Sequence, residues 1–218
     1  MIRRSGVLVA LAVIGLVACG GGDGGRASSP GGDQSATGDG GFAGYTRDPA
    51  PFVGEFELPD LSNAGAPFAL RAERGELLAV YFGYTNCPDF CPTTLSDVRL
   101  ARRELDDPSA VDVAMITIDP DRDLPILAEY VGGFFPDDGH ALGTDDPSLL
   151  ARVAAPFGTS YAVDTNAEGE IEVGHRTDLY AVDDEGRIAM TWPFGVTKDA
   201  LAADFERLLD DRSQDGDA

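Results

Sequence analysis

Basic residues are scarce in this chain: 16 Lys and Arg stand against 38 Asp and Glu over 218 residues, a formal net charge of −22. So acidic a surface argues against holding nucleic acid or anionic phospholipid headgroups by charge. It favours a solvated domain or a basic partner and says nothing about chemistry. No glycine-rich phosphate loop appears, and no serine stands in a GxSxG setting. Beyond the first eighteen residues no apolar run approaches the length of a membrane span. Histidine occurs twice and cysteine three times. Metal or thiol chemistry must therefore be built from very few side chains.

The N-terminus is unlike the rest. Arg3 and Arg4 precede an apolar run, Val7 to Val17, too short for an ordinary transmembrane helix, and small residues lead to Cys19. This reads as a secretory leader. Leu16-Val17-Ala18-Cys19 resembles a bacterial lipobox, in which cleavage precedes the cysteine and its thiol carries lipid. On that resemblance residues 1–18 are a lipoprotein signal peptide and Cys19 is the lipidation site, which places the protein outside the cytoplasm, anchored to the cell membrane. GGGDGGRASSPGGDQSATGDGG follows, too poor in apolar residues to fold. With Cys19 it forms a flexible linker over 19–41, with a root-mean-square span of about 25–30 Å. A single domain is expected over 42–211 and a disordered tail over 212–218.

Within the domain, strand and helix signals alternate. LLAVYFGY (Leu77 to Tyr84) and VDVAMITI (Val111 to Ile118) are continuous apolar runs of strand length, as expected of strands buried on both faces. Helices are expected from Pro92 to Leu105, from Leu124 to Phe135, and from Asp146-Pro147 to a break at Gly158. Tyr161 to Val173 reads as a hairpin around Asn166 to Gly169. Thr177 to Val182 and Arg187 to Trp192 read as strands, and a helix closes the chain from about Lys198. The order points to an α/β domain with a central sheet.

If Cys19 carries lipid, Cys87 and Cys91 remain, four residues apart in YFGYTNCPDFCPTTL. They sit where a buried strand ends and a helix begins, the place where reactive groups gather in open α/β sheets. A helix start is expected to lower a cysteine pKa. Pro88 and Pro92 stiffen the loop. In an oxidising compartment such a pair is open to three readings: structural disulfide, redox dithiol, or metal ligands. A thioredoxin-type redox motif has two residues between its cysteines, whereas this one has three. Zinc would need further ligands, and no second cysteine pair exists. Two thiolates suit Cu(I), because soft sulfur ligands select it.

A third ligand would come from a histidine. His140, in PDDGHALGTDD, is expected to be an exposed loop residue. His175, in VGHRTDLYAV, precedes a late strand whose preceding loop, in a thioredoxin-like fold, faces the cysteine loop. Asp119, Asp121 and Asp123 in TIDPDRD alternate as in a calcium loop, but Leu124 stands where glycine is needed and Tyr130 where a bidentate acid is needed. A strand end with a helix cap is expected there instead. Asp89 reads as a solvated turn residue or a docking aid, and Trp192 as core or strand edge.

YFGYTNCPDFCPTTL, TIDPDRDLP and VGHRTDLYAVDDEGRI, in this order and spacing, resemble the Sco/SenC family from about Phe52 to about Leu209. The resemblance implies a thioredoxin-like central sheet flanked by helices, with an inserted β-hairpin. It implies a copper metallochaperone that helps mature the CuA centre of cytochrome c oxidase. Cys87, Cys91 and His175 would be the ligands of copper, as Cu(I) with Cu(II) also allowed. The implied partners are the CuA-bearing subunit of a haem–copper oxidase and another copper chaperone or thiol reductase. Cys87 and Cys91 could also form a disulfide in the oxidised apo form, which opens the alternative of a thiol–disulfide oxidoreductase that reduces the client's cysteines. This chain departs from the family at Asn86, which removes no ligand, and at Gly174, often aspartate there, which bears on how His175 is oriented.

Overall fold

The computed structural model describes residues 41–167 and 169–215. The leader, Cys19, most of the linker and residues 216–218 lie outside the described residues. The buried run at Leu77 becomes β3 (Leu77–Gly83), and the run at Val111 becomes β4 (Val111–Thr117). They pair in parallel, Leu77 opposite Val111. Each face of β3 feeds a separate core. Leu77, Ala79 and Tyr81 pack with Cys91, Leu95 and Val98, while Leu78, Val80 and Phe82 pack with Leu150, Val153 and Phe157. That two-sided burial is why the strand is apolar throughout.

β5 (Gly139–Leu142) extends the parallel part beside β4. β1 (Glu57–Asp60) and β2 (Ala66–Ala69) add antiparallel strands at that edge. β8 (Leu179–Val182) and β9 (Ile188–Trp192) complete the other side, giving the order β2-β1-β5-β4-β3-β8-β9. α1 (Phe90–Arg102), α3 (Leu127–Phe134) and α5 (Lys198–Asp215) supply residues to the first core, and α4 (Pro147–Phe157) to the second. α4 starts as expected, with Asp146 accepting the N–H groups of Ser148 and Leu149, and it stops at Gly158 with φ +72°. β6 (Tyr161–Thr165) and β7 (Ile171–His175) form the inserted hairpin as a separate two-stranded sheet. Among the described residues no helix is long and apolar enough to cross a membrane.

Three expectations are corrected. The helix expected from Leu124 starts only at Leu127, as α3: residues 124–126 form a turn around Pro125, and a separate short helix, α2 (Pro120–Asp123), precedes it. α5 passes the expected boundary at Asp211, since Arg212 pairs with Asp183 and Asp184. His140 is a strand residue of β5, not a loop residue. Its Nδ1 lies 2.8 Å from the buried Asp60 and its ring stacks on Phe68.

Trp192 is core, as expected, and donates its indole N–H to Asp204 at 2.7 Å. The same carboxylate accepts the N–H groups of Ala43 and Gly44, which latches the start of the domain to α5. Asp204→Ala leaves these three donors without an acceptor. Urea unfolding should report a loss of about 3 kcal/mol; a loss under about 1 kcal/mol would mean that water replaces the carboxylate.

Candidate metal centre

β3 ends at Gly83, and Tyr84 to Asp89 carry the chain into α1. Gly83 is needed at this bend. A Cβ there would stand 2.8 Å from the Tyr81 ring and 3.1 Å from the Cys91 sulfur. The loop is fixed from its own backbone and from α2. Thr85 donates its N–H (3.0 Å) and hydroxyl (2.6 Å) to Asp123, and the Cys87 N–H donates to the Tyr84 carbonyl at 3.3 Å. Cys91 then falls in the first turn of α1, fully buried, with Cys87 beside it at 6% exposure. The Cys91 N–H donates to the Cys87 sulfur at 3.3 Å, and the Tyr81 hydroxyl donates to the Cys91 sulfur at 3.6 Å.

His175 reaches the same point from the end of β7. Its Nδ1 lies 2.7 Å from the Arg176 carbonyl oxygen. A carbonyl only accepts, so Nδ1 carries the hydrogen and Nε2 keeps a free lone pair. The ring stands edge-on to Tyr84 and Tyr81, with centroids at 5.8 and 6.3 Å. Arg176 pairs with Asp178, which holds the chain just past the histidine. Residue 174 looks into open space. The imidazole therefore takes its orientation from the Arg176 carbonyl, and glycine at 174 costs it no hydrogen bond that the structure makes.

One ligand atom from each of Cys87, Cys91 and His175 lies within 4.8 Å of the other two. Two metal–sulfur bonds of about 2.3 Å span at most about 4.6 Å, so ligand atoms this close together are within reach of one shared ion. Among the described residues this is the only such grouping of His, Cys, Asp and Glu. Asp119, Asp121 and Asp123 do not converge on a point: Asp119 pairs with Arg122, Asp121 is exposed, and Asp123 turns inward to the cysteine loop. Asp89 is an exposed residue at the start of α1, 3.4 Å from the Thr93 hydroxyl.

The helix start does not lower the Cys91 pKa. Burial pushes this thiol up to about 12, with the Cys87 hydrogen bond adding to the rise. Full burial outweighs the partial charge of the helix end. Burial moves His175 the other way, below its ordinary 6.5, against a smaller opposing effect of the Arg176 carbonyl. At neutral pH the centre thus offers a neutral imidazole and a protonated Cys91, and a metal must displace that proton to bind. Two sulfurs and one imidazole nitrogen are a soft donor set suited to Cu(I). Reduced and adjacent, the cysteines also suit two-electron disulfide chemistry.

Sequence reasoning located the three ligand candidates and missed their surroundings. Tyr81 and Tyr84 were legible as apolar strand residues only. Phe194, which with Trp192 reads from the sequence as core or strand edge, is instead 41% exposed and meets Phe90, 45% exposed, edge-to-face at 4.8 Å.

The SCO1/SenC family pattern matches residues 44–210. A SCO2-like protein of Rickettsia prowazekii is 30% identical over 153 residues, covering 63% of this chain and 73% of the relative. Among solved structures, the copper-bound ScoI of Bradyrhizobium japonicum aligns at 28% identity with a TM-score of 0.60, over 72% of this chain and 96% of that one. Apo Sco1 from Thermus thermophilus aligns at 27% identity with a TM-score of 0.65, over 77% and 96%. The likeness bears out the expected α/β fold, a central sheet flanked by helices.

Proposed function

From the premise that the chain belongs to the SCO1/SenC family, we propose that it is a copper metallochaperone that helps assemble cytochrome c oxidase. The observation that carries this reading is the convergence of Cys87, Cys91 and His175 within 4.8 Å. Cu(I) is the cargo. Cys87 and Cys91 would hold it as thiolates, the Cys91 proton passing to solvent, and Nε2 of His175 would complete a three-ligand site. Three ligands leave an open side, through which a client's ligands replace these one by one. Cys87, at 6% exposure, is the sulfur nearer the rim and the first to exchange. The client is the subunit that carries CuA. In this reading Cys19, after its leader-like apolar run, carries a lipid anchor outside the cytoplasm, near a membrane-bound partner.

The decisive experiment loads the reduced protein with Cu(I) without oxygen, in competition with a chelator, and mixes it with the apo CuA-bearing subunit. One tight equivalent per chain and copper on the subunit after separation are expected. If the subunit instead gains free thiols while this chain gains a Cys87–Cys91 disulfide, and no copper moves, the protein is a thiol reductase. In that exchange two electrons and two protons pass from the cysteine pair to the client's disulfide.

A further inference from the structure

Asp123 is fully buried, yet among the described residues no cation faces its carboxylate in an ion pair. Three neutral donors converge on it instead. Oδ2 accepts the Thr85 N–H at 3.0 Å and the Thr117 hydroxyl at 2.6 Å, and Oδ1 accepts the Thr85 hydroxyl at 2.6 Å. Thr117 ends β4, and its oxygen accepts the N–H of Asp119 at 3.0 Å, which aims α2 at the site. Thr85 lies two residues before Cys87. Donors from two elements thus meet on two oxygens of a third, beneath the loop that presents the first sulfur. An amide here keeps all three contacts only if the Thr85 hydroxyl turns to accept from its NH2, and it loses the charge that strengthens them.

We infer that Asp123 is a positioning residue of the metal centre, acting through Thr85 to hold the Cys87 loop in the geometry that Cu(I) binds. The inference rests on the copper reading above. A carboxylate suits the task because charge-assisted hydrogen bonds are short and strong, and a dry setting strengthens them. Outer partners of this kind commonly change metal affinity without touching the metal. Asp123 touches neither sulfur nor imidazole, so its effect passes through the loop alone.

The test compares Asp123→Asn, Thr85→Val and Thr85→Ser in the reduced protein by anaerobic competition for Cu(I), with thermal unfolding and amide hydrogen exchange of the apo form. Asp123→Asn and Thr85→Val should each weaken Cu(I) affinity by about tenfold. Thr85→Ser keeps both donors and should bind as the parent does. Combining Asp123→Asn with Thr85→Val should cost less than the sum of the two, because they break one shared bond. Exchange at the Thr85 amide should quicken in Asp123→Asn. A purely structural role would lower the unfolding temperature while leaving the affinity of the folded fraction intact, and that result overturns the inference. If Asp123→Asn does not fold, Thr85→Val decides alone. A parent protein that binds no Cu(I) overturns the copper reading and this inference with it. A parent that binds tightly beside variants that bind equally well overturns only the inference.

Discussion

Cys91→Ser should abolish tight Cu(I) binding, whereas His175→Ala should weaken it and leave a measurable site. The asymmetry follows from ligand chemistry. Cu(I) is held by soft sulfur, and serine offers a hard, protonated oxygen in the same place. Cys91 is also fully buried against Tyr81, Leu95 and Val98, so no outside ligand can take over its position. The expected loss exceeds about 100-fold, the upper end of what losing only an outer hydrogen-bond partner costs a metal site. His175→Ala removes one neutral donor from the edge of the exposed hairpin and leaves both sulfurs, so about a 10- to 100-fold loss is expected. Water or a competing chelator can enter the gap between Tyr81 and Tyr84. Competitive titration of the two variants against the parent measures both losses. Equal losses for the two would show that the histidine is as decisive as a thiol. No loss for His175→Ala would sink the three-ligand centre and favour thiol exchange.

The three ligand candidates were legible because each carries a signal that survives without coordinates. The cysteines lie in a proline-flanked loop after an apolar run, and His175 precedes a run of strand residues. β3, β4, the hairpin and α4 were legible for related reasons: continuous apolar stretches, an Asn–Gly-bounded turn, an Asp–Pro start and a glycine stop. β1, β2 and β5 were not, since each has only four residues and their sequences ELPD, APFA and GHAL have no clean alternation. They are strands because neighbours complete their hydrogen bonds. His140 failed for the same reason: its partner Asp60 is brought to it across the β1–β5 pairing. Asp123 read as a helix-cap acid because Thr85, its main partner, lies 38 residues earlier in the chain. The Cys91 thiol shows the limit of a local rule. The helix start was visible in the sequence, but the burial that overrides it depends on Tyr81 and α1 packing on one face of the sheet.

That burial sets the second large effect, the dependence of copper affinity on pH. Cys91 holds its proton up to about pH 12 in the metal-free protein, and it must give that proton up to bind Cu(I). Binding therefore releases at least one proton throughout the neutral range. Apparent affinity should rise about tenfold per pH unit from this thiol alone, or about 100-fold between pH 6.5 and 8.5. The sign is fixed: a raised thiol pKa makes protons stronger competitors, so lower pH weakens binding. His175 adds less to the slope than an ordinary histidine would, because burial lowers its pKa and moves its protonation toward more acidic solution. Titrations across pH, corrected for the proton affinity of the competing chelator, measure the slope. A flat profile would mean that Cys91 is already a thiolate in the metal-free protein and that the helix start prevails over burial after all. A slope of this size has a functional consequence. A copper acceptor whose ligands release fewer protons on binding therefore gains on this chain as pH falls.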